Sequence, residues 1–212
     1  MVNIKELWKK KIYLADLTHT ARGISASVFP LGTAFVSSYA QKVLGDDFEI
    51  KLFKFPEQLC QMLTSDPPLL LCLSNYSWNL ELSYKLGSWA KKQYPNLIVV
   101  FGGPNFPILM YEKIQFLKKH SIIDFYIHNE GELGFVDLVR RLQEYKFNAA
   151  EVKKNKELII NCNYLSGEQL IEGPFQRIED INIIPSPYLN GTLDEFFNFS
   201  LSPMIETTRG CP

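Results

Sequence analysis

Residues 67–104 read PPLLLCLSNYSWNLELSYKLGSWAKKQYPNLIVVFGGP, and this stretch decides the fold. After Pro67-Pro68 comes an unbroken apolar run, Leu69 to Leu73, too short for a helix and suited to a strand buried on both faces. Leu82, Leu86 and Trp89 then recur at i, i+4 and i+7, the stripe of an amphipathic helix. Tyr94-Pro95 stops that helix, because a residue before proline is pushed out of the helical region. Leu97 to Phe101 is the next buried strand, closed by Gly102-Gly103-Pro104. Strand, helix and strand in this rhythm predict a βαβ unit with parallel strands.

The same rhythm extends in both directions. Upstream, Lys11 to Asp16 reads as a strand. From Pro30 to about Leu44, Leu31, Phe35, Tyr39 and Val43 mark a helix that Gly45 ends. Phe48 to Phe53 alternates as a strand, and Pro56 to Thr64 is a short helix. Downstream, Ile108, Tyr111, Ile114 and Leu117 mark a helix, Asp124 to Ile127 a short strand, and Phe135, Leu138, Val139 and Leu142 a helix ending near Tyr145. Five strands alternating with five helices predict an α/β, flavodoxin-like (Rossmann-like) fold. Its five-stranded parallel sheet carries helices on both faces, in the order 2-1-3-4-5. Beyond Lys146 the pattern changes. Lys153, Lys154 and Lys156 suggest a solvated stretch; Leu158–Leu165 and Gln169–Glu172, joined at Ser166-Gly167, suggest a hairpin. Ile184-Pro185-Ser186-Pro187 suggests a stiff linker, Asp194–Phe199 is aromatic and acidic, and Pro203–Thr208 suggests one more strand.

Composition removes several function classes. The 212 residues carry 22 basic and 23 acidic side chains, a net charge of −1, so there is no electrostatic footprint for nucleic acid. Lys9-Lys10-Lys11 reads as a solvated strand edge. Hydrophobic residues make up 46%, ample for a packed core. No apolar run approaches the ~18 residues of a membrane span, and the N-terminus lacks a secretory pattern, so a cytoplasmic chain without membrane contact is expected. Cys60, Cys72, Cys162 and Cys211 are widely spread. The first three suit a core, and no pair has metal-ligand or redox spacing.

In open α/β sheets ligands bind outside the carboxyl ends of the strands, at the switch point in strand order. The loops after strands one, three, four and five therefore supply the candidates. After strand one come Thr18 and His19. Strand three is followed by Ser74, Tyr76, Ser77, Trp78 and Asn79, strand four by Gly102, Gly103, Pro104 and Asn105, and strand five by Glu130 and Gly131. Glycines let backbone approach a ligand closely, aromatic rings stack on a planar one, and short polar groups hydrogen-bond it. Plainer readings exist for each. The Gly pair suits an ordinary turn, and Ser74, Ser77, Asn79, Glu130 and Glu132 suit helix N-termini. His19 suits an exposed loop, His120 a helix C-terminus and His128 a structural place. No Ser/His/Asp order, metal-ligand cluster or phosphate-binding Walker loop appears, so catalytic residues are expected to be absent from this stretch.

Taken in order, these segments resemble the N-terminal half of cobalamin-binding radical SAM proteins. The resemblance rests on Pro30-Leu31-Gly32, Ser74 through Asn79, Gly102-Gly103-Pro104, Asn129-Glu130-Gly131-Glu132, Ile184-Pro185-Ser186-Pro187-Tyr188 and Thr208-Arg209-Gly210-Cys211-Pro212. It implies three parts: a cobalamin-binding Rossmann-like domain over 1–147, a hairpin and interdomain linker over 148–200, and the first strand of a radical SAM barrel over 201–212. It makes Cys211 the first thiolate of a Cys-x3-Cys-x2-Cys set for a [4Fe–4S] cluster whose open iron binds S-adenosylmethionine. The parent would then be a radical SAM enzyme, a methyltransferase in the leading option, with this chain its corrinoid-binding front and the C-terminal barrel its missing partner. Many cobalamin domains offer cobalt a histidine from Asp-x-His-x2-Gly. Here Asp16-Leu17-Thr18-His19-Thr20-Ala21-Arg22-Gly23 has each gap one residue too long, so a corrinoid without a His19 ligand is expected. The alternative is a standalone flavodoxin-like carrier for FMN or a corrinoid, its loop after strand one cradling a phosphate. A receiver-type domain is disfavoured because strand three ends in Ser74 rather than an aspartate.

Overall fold

A computed structural model describes residues 10–21, 23, 26–207 and 209. The elements run β1 (Lys10–Ala15), α1 (Leu31–Leu44), β2 (Phe48–Phe53), α2 (Pro56–Ser65), β3 (Leu70–Ser74), α3 (Leu80–Gln93), β4 (Ile98–Gly102) and α4 (Met110–Lys119). They continue with β5 (Phe125–Ile127), α5 (Gly131–Glu144), α6 (Ala149–Lys154), β6 (Cys162–Ser166) and β7 (Gln169–Glu172). The sheet order is β2-β1-β3-β4-β5-β6-β7. The first five strands pair in parallel in the expected 2-1-3-4-5 order. The sheet is larger than expected, because the hairpin does not stand apart. Its strand β6 joins β5 antiparallel, Ile127 opposite Cys162, and β7 closes the edge.

Strand alternation sorts the core into two layers. Ile12 and Leu14 of β1 and Cys72 of β3 face α1 and α5, whereas Tyr13, Ala15, Leu71 and Leu73 face α2, α3 and α4. All five residues of β3 are buried, as the continuous apolar run required. In α5 the predicted stripe Phe135, Leu138, Val139 and Leu142 is buried throughout. In α1 the predicted Leu31 is buried, but the rest of the buried face is the small one, Ala34, Ser37, Ser38 and Ala40; Phe35, Tyr39 and Val43 lie on its flank. Small side chains let α1 sit close to the sheet and α5, and Phe35 is left to face the site described below. Helix α3 does the same with Ser83 and Gly87, where an added Cβ would meet Leu73 and Ile122 at 3.2 Å.

Other expectations need correction. Helix α4 begins at Met110, and Ile108 and Tyr111 are exposed, so the stripe assigned to them is not a core stripe; Leu117 alone is buried there. The lysine-rich stretch is helical, because the Asn148 carboxamide accepts hydrogen bonds from Ala150 and Glu151 N–H (3.1 and 3.2 Å) and caps α6. The hairpin turn is Gly167-Glu168, one residue later than expected, with Gly167 at φ +60°. Cys72 and Cys162 are buried, but Cys60 is only partly so. The proline segment leads directly into a turn, Leu189 and Asn190 N–H meeting the Ser186 carbonyl, and residues 193–201 pack Leu193, Phe196 and Leu201 onto the α1 side of the core. No strand forms at 203–207. Ser202 makes one isolated bridge with Val28, holding this segment beside the loop that enters α1.

Candidate functional site

Five strands pointing the same way bring five loops to one edge of the sheet, and a cleft of about 1040 Å³ opens there. The sequence candidates Ser74, Tyr76, Trp78, Gly102, Gly103, Pro104, Glu130 and Gly131 line it, joined by Leu31, Gly32, Thr33 and Phe35 of α1. Tyr76 and Trp78 stack face to face, ring centroids 4.4 Å apart and planes 9° from parallel, and Trp78 is half exposed. Burial, with the nearby Asp16 carboxylate, pushes the Tyr76 phenol up, so it stays neutral at any physiological pH. These rings form a flat apolar wall.

The rim next to Asn75 is bare backbone. Gly103 adopts φ +126°, and a Cβ on it would stand 2.8 Å from the Asn75 carbonyl oxygen, so only glycine fits without movement. Asn75 is the staple behind this rim. Its side-chain N–H groups reach the Asn105 carbonyl (2.7 Å) and the Tyr126 hydroxyl (2.9 Å), and its backbone N–H the Gly102 carbonyl (2.6 Å). Tyr126 in turn donates to the Gly103 carbonyl at 3.0 Å. The loops after β3 and β4 are thereby fixed to one another.

Five candidates are not among the lining residues. Asn79 is fully buried and ties the loop after β3 to that after β1: its N–H groups meet Leu17 O (3.2 Å) and Ser74 Oγ (2.9 Å), and its oxygen accepts from Tyr76 N. It clamps a loop and makes no side-chain cap on α3. Thr18 is buried and accepts from Ala26 N at 2.9 Å, inside its own loop. The imidazole Nε2 of His19 lies 2.9 Å from the Trp78 carbonyl, outside the cleft lining. Ser77 is exposed beside that loop, and Asn105 pairs with Asn75. Cys211 lies outside the described residues.

Two charged groups at the cleft were missed in the sequence. At the carboxyl ends of β1, β2 and β3, Lys54 Nζ sits 2.8 Å from Asp16 Oδ2, and Ser74 Oγ donates to Asp16 Oδ1 at 2.6 Å. Lys54 is 1% exposed, yet it lines the cleft together with Asp16 and Ser74. On the α5 side, Arg209 forms two bonds to Glu206 (3.0 and 2.9 Å) and others to Glu132 (2.8 Å) and Glu130 (3.2 Å), with its guanidinium over the Phe35 ring. Glu130 and Glu132 thus serve as counterions to Arg209; Glu130 makes no side-chain cap, whereas Glu132 also sits in the first turn of α5 and its carboxylate meets its own backbone N–H there. Burial pushes the Glu132 carboxyl above the usual carboxylate range, against the opposing pull of Arg209.

Chemically this is a binding cleft. Cys72 lines it, but burial pushes its thiol up and out of reach as a thiolate. Among the described residues no group of three His, Cys, Asp or Glu side chains is placed to hold a metal ion. A volume at the top of the range for small-molecule pockets, ~300–1,000 Å³, suits a large ligand.

No family model matches the chain. It is similar in sequence to a cobalamin-dependent radical SAM methyltransferase, TokK of Streptomyces tokunonensis, 31% identical over 153 residues that span 68% of this chain and 21% of that protein. It is also similar to the 2-(S-pantetheinyl)-carbapenam-3-carboxylate methyltransferase of Streptantibioticus cattleyicolor, 27% identical over 205 residues, 90% of this chain and 28% of that one. The chain therefore spans well under a third of the length of these relatives. Its fold matches that of the cobalamin-dependent S-adenosylmethionine radical enzyme OxsB, solved with aqua-cobalamin and S-adenosylmethionine bound. That match has a TM-score of 0.68 and 17% identity, and covers 98% of this chain and 28% of that one. The apo structure of OxsB matches with a TM-score of 0.67.

Proposed function

We propose that this chain, related in sequence to part of the cobalamin-dependent radical SAM methyltransferases, is the corrinoid-binding portion of such an enzyme. The observation that carries the reading is the large cleft at the switch edge of a sheet whose whole course matches a cobalamin enzyme. Its residues fit the group. A glycine rim admits a bulky planar ring to the backbone, Tyr76 and Trp78 offer a flat apolar face, and Lys54 and Thr33 bring polar side chains to the lining for peripheral amides. His19 is engaged near the Trp78 carbonyl and stands outside the lining, which supports a corrinoid held without a histidine from this chain.

A bound corrinoid supplies the carrier chemistry of its cobalt. The protein's share is placement and exclusion of water. The loops after β3 and β4 are locked together by Asn75, so the rim is preorganised rather than shaped by the ligand. Residues 204–207 and Arg209, the latter bonded to Glu130 and Glu132, line the cleft together with the start of α5. For the full-length parent we propose methyl transfer with S-adenosylmethionine and a [4Fe–4S] cluster, Cys211 being its first thiolate and the barrel following residues 148–200, which pack onto the sheet. A cytoplasmic location suits the three described cysteines, all free thiols, and the absence of any described helix long and apolar enough to cross a membrane.

The test is a titration of the purified chain with hydroxocobalamin and, separately, with FMN, followed by visible absorbance after gel filtration. Stoichiometric corrinoid uptake is expected. Tight FMN binding with no corrinoid uptake would establish the flavodoxin-like carrier instead. Thr18, one polar residue of the loop after β1, accepts from Ala26 N and does not line the cleft, so it lends that alternative no support.

A further inference from the structure

The least economical feature of the cleft is the ion pair at its base. Lys54 is 1% exposed, and an ammonium taken out of water loses several kcal/mol of hydration unless its three N–H donors find acceptors. Among the described residues it finds one, Asp16 Oδ2 at 2.8 Å. Asp16 is fully engaged, its other oxygen accepting from Ser74, and Ser74 in turn accepts from Asn79. The chain Lys54–Asp16–Ser74–Asn79 is therefore satisfied at every member except the ammonium, which has donors to spare and lines the cleft. Lys54 directly follows β2, and its ammonium reaches Asp16 at the carboxyl end of β1, beside the β1–β3 switch point at which this class of sheet binds its ligands. A buried ion pair contributes little stability for its cost, so a half-satisfied one facing a cleft points to an acceptor that arrives with the ligand.

We propose that Lys54 is a ligand-anchoring residue, donating from Nζ to a neutral carbonyl oxygen of an amide on the corrin periphery, with Asp16 and Ser74 as positioning residues that hold the ammonium. This rests on the corrinoid reading above. The charge balance selects a neutral acceptor over the phosphate of the nucleotide tail. Asp16 already compensates Lys54, so a phosphate there would leave a buried negative charge without a partner, whereas an amide oxygen completes the bonding and adds no charge.

The experiment measures dissociation constants for two probes, hydroxocobalamin and cobinamide, the latter being the corrin without its nucleotide tail. The proteins are the wild-type chain, Lys54→Met and the double variant Asp16→Asn/Lys54→Met. The double variant removes both charges, so it leaves no unpaired buried ion should the single variant fail to fold. A charge-assisted hydrogen bond corresponds to a loss of about ten- to a hundredfold, expected for both probes alike. Loss confined to hydroxocobalamin would assign Lys54 to the phosphate and overturn the proposal, as would unchanged affinity for both. A wild-type chain that takes up neither probe would instead refute the corrinoid reading, and the anchor with it.

Discussion

Substituting Gly103 by alanine tests the geometry of the cleft rim at one atom. Gly103 holds φ +126°, where an L side chain is strained by about 1–3 kcal/mol. The added Cβ would also stand 2.8 Å from Asn75 O and 3.2 Å from Asn75 N, both backbone atoms of a loop that cannot yield by rotating a side chain. Moving Asn75 loosens its bonds to Gly102, Asn105 and Tyr126. Strain and displaced bonds together give about 3 kcal/mol. With a urea slope of about 2 kcal/mol/M, the unfolding midpoint should fall by about 1.5 M. Gly167→Ala is the control. It too has positive φ, +60°, but nothing lies within 4 Å of the new Cβ, so only the left-handed penalty of about 1 kcal/mol applies, a shift of about 0.5 M. Urea melts of the two variants beside wild type, read by circular dichroism, decide the matter. Equal shifts would refute the close approach of the β4 loop to Asn75.

Gly173→Ala is predicted to abolish soluble expression or detach the β6–β7 hairpin, since its Cβ would fall 1.5 Å from Ile159 O; native-like amide exchange protection in β7 would contradict this. Asn148→Ala removes the α6 cap and should cost about 1 kcal/mol in the same urea assay, with no change in ligand uptake. His19→Ala should leave corrinoid affinity within about twofold, and a tenfold loss would restore His19 as a ligand. Arg209→Met strips Glu132 of the cation that opposes its raised pKa, so the folded-state pKa rises further above the unfolded one. Protonation then favours the fold. The variant's stability deficit should be small near pH 4.5 and grow as pH rises to 7, and a pH-independent deficit in urea melts would contradict this.

The parallel sheet was legible because two periodicities and their punctuation agree. The continuous apolar run of β3, the stripe of α5 and the stops at Gly45 and Pro95 all point the same way, and such consistency across levels specifies a fold. Helix α6 was not legible, since six residues are too few to show a period and one side-chain cap creates it. The place of the hairpin in the sheet was equally hidden, because antiparallel joining of β6 to β5 depends on tertiary packing around Gly134 and Asn161 rather than on the local pattern. The edge rule found Ser74, Tyr76, Trp78 and the Gly102-Gly103 rim. It would also have found Lys54 had the loop after the edge strand β2 been read with the others. The Arg209–Glu132 contact joins residues 77 apart in the chain, and nothing local announces it.

The most direct test of the account is the position of cobalt. Crystals of the chain grown with hydroxocobalamin, measured at the cobalt absorption edge, should give a single anomalous peak in the cleft between the Tyr76–Trp78 stack and the Gly102-Gly103 rim. A peak elsewhere on the molecule, or none in crystals of a chain saturated with the probe, would contradict the assignment of this edge as the corrinoid site.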